Sequence, residues 1–109
     1  MKKLLLDENL PKKLRYRFGV GYEVVKVPDM GWASLENGQL LKAMQETGFE
    51  YLITADKNLS YKQNYEKYGI SLLVLGTKDN RYETVLPFVA KIKALLKLNA
   101  TPAYSLISL

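Results

Sequence analysis

The chain has 109 residues, 48% hydrophobic and 25% charged, with a net charge of +5 and neither histidine nor cysteine. That length suits one domain, residues 1–109, burying roughly two-thirds of its unfolded surface. The two absences exclude disulfides, thiolate nucleophiles, Cys or His metal sites and Ser-His-Asp catalysis.

Leu4-Leu5-Leu6 predicts a strand buried on both faces, as in a parallel sheet. It stops at two adjacent carboxylates, Asp7 and Glu8. Asn9 is a suitable N-cap and Pro11 a suitable first-turn residue, so a helix is expected to follow directly. Leu10, Leu14 and Phe18 would form its apolar face, opposite Lys12, Lys13, Arg15 and Arg17, and Gly19 and Gly21 would end it. A second strand is predicted over Tyr22–Val27, closed by Pro28. The loop from Asp29 to Ser34 carries Trp32, the only tryptophan, either a packing anchor or part of a binding rim.

A second helix is predicted from Asn37 to Gly48 and a third strand over Tyr51–Ala55, running into Asp56-Lys57-Asn58. A third helix, from Leu59 to Tyr68, has few apolar residues and is expected to lie shallowly on the surface. Ser71–Leu75 predicts a fourth strand. Asn80-Arg81-Tyr82-Glu83 has the spacing of a capping box and would open the longest helix, delayed or kinked at Pro87. Ala103–Leu109 predicts a fifth strand. The fold class expected is α/β: a three-layer α/β/α sandwich around a mostly parallel sheet of about five strands.

Two strands that each end in an acid point to a chemistry. Ligands of open α/β sheets bind at the carboxyl ends of the strands, where Asp7 and Asp56 would share one rim. Two charges about 5 Å apart repel by roughly 3 kcal/mol at an effective dielectric of ~20, so such a pair favours a proton or a divalent cation between its members. Oxygen-only donors select Mg²⁺ or Mn²⁺. Asp7, Asp56 and Glu36 are the candidate metal ligands. Asp7, Asp56, Glu8 and Asn58 are the candidate catalytic residues, with Asn58 positioning water. Lys12, Arg15, Lys57 and Lys62 are candidates for holding a phosphodiester backbone. Taken singly, each acid could equally terminate its strand and cap a helix. No Gly-rich phosphate loop follows any strand, which disfavours a small phosphatase.

In combination, Leu5-Leu6-Asp7-Glu8-Asn9-Leu10-Pro11 and Leu52-Ile53-Thr54-Ala55-Asp56-Lys57-Asn58-Leu59 resemble the small bacterial PIN-like domain proteins. The Gly31–Leu41 and Asn58–Asn64 segments extend the likeness over nearly the whole chain. The resemblance implies a parallel-sheet α/β/α fold and an acidic cluster binding Mg²⁺ or Mn²⁺. It also implies metal-dependent ribonuclease activity, often as the toxin of a toxin–antitoxin pair. Asp7 would correspond to the first acid of the family, Asp56 to the acid of Thr-x-Asp, and Asn9 to the polar residue two after the first acid. Two further family acids are amides here, Asn37 and Asn58, with Glu36 a displaced substitute. Two readings stay open: a nuclease acting on RNA, with an antitoxin protein as partner, and a non-catalytic module that binds RNA or a protein. A homodimer and a cytoplasmic location are further expectations. The latter rests on the absence of a ~20-residue apolar run or of a signal-peptide pattern after Met1-Lys2-Lys3.

Overall fold

The computed structural model describes residues 1–57, 65–98 and 104–109, and all of their side chains except that of residue 37. Five strands form one sheet: β1 (Lys2–Leu6), β2 (Tyr22–Lys26), β3 (Tyr51–Thr54), β4 (Ser71–Leu75) and β5 (Tyr104–Ile107). Their order is β2-β1-β3-β4-β5 and every neighbouring pair is parallel. The α/β sandwich expected from the sequence is therefore observed, with a sheet that is parallel throughout. Among the described residues no helix is long and apolar enough to cross a membrane.

Alternation along the strands divides the core in two. Leu4 and Leu6 of β1, Tyr51 and Ile53 of β3, and Leu73 and Leu75 of β4 point to one face. There they meet Leu10, Leu14 and Phe18, together with helices α2 (Tyr82–Val85) and α3 (Phe88–Lys97). Leu5, Leu52, Leu72 and Val74 point to the other face, against Leu40, Leu41 and Met44 of α1 (Asn37–Thr47). Central strands covered on both sides account for the continuous apolar runs Leu4–Leu6 and Leu72–Leu75.

Several local expectations are revised. Leu10, Leu14 and Phe18 are all fully buried, yet the segment between them is a 3₁₀ helix, Lys12–Arg17. Its N-cap is Pro11, without a side-chain cap, and not Asn9. The reason lies upstream, where the Leu10 N–H donates to the Asp7 carbonyl and closes a turn that contains Asn9. β2 ends at Lys26, one residue short of the expected Val27, and Val27–Met30 is a short 3₁₀ helix that takes in Val27, Pro28 and the start of the expected loop.

The capping box expected at Asn80–Glu83 does not form. Arg81 is the N-cap with no side-chain cap of its own, and its N–H donates instead to Asp79 Oδ1 at 3.0 Å. That bond is the main cause holding the Asp79 carboxyl below its usual range. Pro87 divides the long helix, ending α2 and serving as N-cap of α3. Of the third predicted helix, the described part is a 3₁₀ helix, Tyr65–Tyr68. Tyr65 and Tyr68 lie half-buried against the α1 side of the core, consistent with a shallow segment.

Candidate active site

Strand register builds the site. Leu5 pairs with Leu52 and Leu6 with Ile53, so the next step along the two strands sets Asp7 beside Thr54. The ladder continues into that step, with the Asp7 N–H donating to the Ile53 carbonyl at 2.9 Å. Side chains two apart share a face, which aims both residues toward the α1 side. Asp56 follows two residues after Thr54.

Thr54 is the joint between the two acids. Its hydroxyl donates to Asp7 Oδ2 at 2.7 Å and accepts the Asp56 backbone N–H at 3.0 Å. The Thr54 side chain is fully buried, so the hydroxyl end of each bond is out of water while the bonds themselves are partly buried. Asp7 Oδ1 accepts the Glu8 N–H at 2.8 Å. Both oxygens of the half-buried Asp7 carboxylate are thus fixed in direction, and each keeps a lone pair for a further contact. Asp56 is exposed.

Asp7, Glu8, Asn9 and Asp56 line one cleft of about 180 Å³, floored by Val27, Trp32, Ala33, Leu35 and Leu40. Trp32 lines this cleft and packs edge-on against Phe49, ring centroids 5.8 Å apart. The cleft opens between β1 and β3. From β1 the chain first steps outward to β2 and then crosses back to β3, so this is the switch point where doubly wound sheets bind ligands.

The remaining candidates are distributed differently. Glu36 is not in the cleft wall; it is the N-cap of α1. Its carboxylate accepts the Gln39 N–H while the Gln39 side chain accepts the Glu36 N–H at 3.1 Å, a reciprocal capping box. Lys12 and Arg15 face Asp29, at 3.4 and 3.3 Å. Lys57 is exposed immediately after Asp56. Asn58, Lys62 and the Asn37 side chain lie outside the described part.

Thr54 is a site residue beyond the candidates that the sequence offers. The signal was present in Thr54-Ala55-Asp56, but its meaning depends on β1 and β3 being neighbours.

Among the described residues no three carboxylates gather into a metal-holding group, so a closed protein cage is not present there. Two carboxylates on a cleft rim fit Mg²⁺ or Mn²⁺ of the kind that keeps most of its water and shares its remaining positions with a phosphate. Asp7 and Asp56 would be the protein's donors. Compared with family models, with curated proteins and with solved structures, the chain matches none of them.

Proposed function

We propose that the protein is a PIN-like, Mg²⁺- or Mn²⁺-dependent ribonuclease working at the β1–β3 cleft. The observation that carries this reading is the Thr54 bridge, which couples Asp7 and the Asp56 backbone at a sheet switch point. A bound cation would polarise the scissile phosphodiester and acidify a water. The chain's own share is to orient and to move a proton. Asp7, with both oxygens fixed, supplies a donor that needs no rearrangement; Asp56 supplies a second from the exposed lip. Glu8, exposed at the same cleft, is available to take the proton of the attacking water as the phosphorus–oxygen bond to the leaving strand breaks. Lys57 stands beside Asp56 to meet the phosphate backbone. Asn58 is assigned to water positioning on its sequence place alone. The toxin role, an antitoxin partner and a cytoplasmic location go with this reading.

The test is cleavage of a mixed single-stranded RNA panel with Mn²⁺, with Mg²⁺ and with chelator, for the unmodified protein and Asp56→Asn. Metal-dependent cutting by the unmodified protein alone is expected. An Asp56→Asn variant that folds and cuts at full rate would sink the proposal.

One observation favours a second reading, a non-catalytic module that binds RNA or a protein. Two acids implied by the resemblance are amides, and no third carboxylate joins the cleft acids in a metal-holding group among the described residues. Binding that ignores both chelator and Asp7→Asn would select it.

A further inference from the structure

The 3₁₀ form of Lys12–Arg17 sorts its cations into rows, because residues three apart eclipse in such a helix. Lys12 and Arg15 form one row, and Asp29 takes both. Lys13 and Tyr16 form the next. Leu14 and Arg17 form the third, where Leu14 is buried and Arg17 leans across to α2. There its Nε donates to the Tyr82 hydroxyl, with the guanidinium 5.9 Å from that ring's centroid.

Lys13, Tyr16, Arg17 and Tyr82 together line a depression of about 380 Å³. No acidic partner is found for Lys13 or Arg17 among the described residues. Tyr16 is 69% exposed, and its position is fixed from one side: Arg15 donates to its hydroxyl at 2.8 Å and lies 4.9 Å from its ring centroid.

We infer that this depression is where a single-stranded RNA docks outside the cleft, with a base stacked on Tyr16 and phosphates met by Lys13 and Arg17. The inference rests on the RNA reading proposed above and moves the backbone-holding role from Lys12 and Arg15 to the neighbouring rows. Three features carry it. Two cations without an acid beside them retain their full attraction for phosphate, whereas Asp29 offsets Lys12 and Arg15. An exposed, pre-positioned aromatic ring stacks any base, since every base offers a π-face. Lys13 follows Asp7 by six residues, so at most about 20 Å of chain separates them, a distance a short run of nucleotides spans.

The experiment is fluorescence anisotropy of a labelled single-stranded RNA titrated at several salt concentrations. Asp56→Asn serves as the background, with Mg²⁺ present, and melting curves confirm folding. Adding Lys13→Gln with Arg17→Gln is expected to flatten the slope of log affinity against log salt by about 1.4, at about 0.7 per phosphate on a single strand. Tyr16→Leu is expected to weaken binding about ten-fold, and Tyr16→Phe to restore it. Lys42→Gln with Lys67→Gln removes the same net charge from the opposite face of the sheet and is expected to leave the slope within error.

Equal slopes for the two double variants would overturn the inference, as would tighter binding of duplex than of single strand, or no binding at all. Cleavage is read separately on the unmodified protein. Absence of cutting with intact docking would sink the nuclease reading while the docking surface stands.

Discussion

Leu4–Leu10 and Tyr51–Lys57 look like twins in sequence, each an apolar strand that runs into an aspartate, but the fold treats them differently. Asp7 comes directly after the last residue of β1, half-buried, with one hydrogen bond on each carboxylate oxygen. Asp56 comes two residues after β3 ends and is exposed, and its backbone N–H donates to the Thr54 hydroxyl. One acid is built into the fold; the other is carried at its edge. A pair of this kind sets a half-buried donor beside an exposed one.

The largest expected effect breaks the symmetry of function from that of stability. Asp7→Asn and Asp56→Asn should each lower RNA cleavage by more than about 100-fold, the upper range for losing a residue that merely supports a metal ligand. Their melting temperatures should part. The Glu8 N–H and the Thr54 hydroxyl meet different oxygens of Asp7, so an amide there sets its NH₂ against one of these donors, and an unmet buried partner costs about 1–3 kcal/mol. Each kcal/mol lowers the melting temperature of a domain of this size by roughly 4–8 °C. Asp56→Asn, at an exposed position and with its backbone bond to Thr54 kept, should melt at a higher temperature than Asp7→Asn. Equal melting of the two variants would remove the distinction.

Thr54→Val tests the joint. It preserves shape but strands Asp7 Oδ2 and the Asp56 N–H together, so cleavage should fall about 10–100-fold with both carboxylates intact. Thr54→Ser, which retains the hydroxyl, should recover most of that loss. A valine variant at full activity would mean that the two segments act independently.

The smallest effect concerns Glu36. Glu36→Ala should cost about 1 kcal/mol through the lost N-cap, visible as a lower midpoint in urea. Glu36→Gln, still able to accept the Gln39 N–H, should change cleavage by less than about three-fold. A ten-fold fall in the glutamine variant would bring this carboxylate into the cleft and make the pair a trio.

What the sequence disclosed follows from how far each feature depends on distant chain. The strands were legible because buried parallel strands need unbroken apolar runs, and Leu72–Leu75 is one. The buried trio Leu10, Leu14 and Phe18 was legible as a face although its helix is 3₁₀, because the sheet demands the side chains and not the hydrogen-bond period. The shared rim of Asp7 and Asp56 followed from parallel strands alone. Thr54 was not legible, since its partner is set by which strand lies next to β1. The neutralisation of Lys12 and Arg15 was hidden for the same reason: Asp29 reaches them only after β2 has returned the chain along the sheet edge to the rim where β1 ends. The Asn80–Glu83 spacing misled because Asp79, one residue earlier, supplies the acceptor for Arg81.

The reciprocal cap at Glu36 and Gln39 has a thermodynamic consequence. Glu36 closes the first turn of α1 and is not part of the cleft wall, so to join a cation held by Asp7 and Asp56 its carboxylate has to turn away from the Gln39 N–H. Any affinity gained through Glu36 is therefore diminished by the cost of the lost cap, about 1 kcal/mol or some five-fold in binding. Loading and helix fraying would then be linked, and the linkage has a direction that amide hydrogen exchange reads. Faster exchange at Gln39 on adding Mn²⁺ would mean that the helix end yields to the ion; unchanged exchange would leave the ion to Asp7 and Asp56 and the first turn of α1 closed.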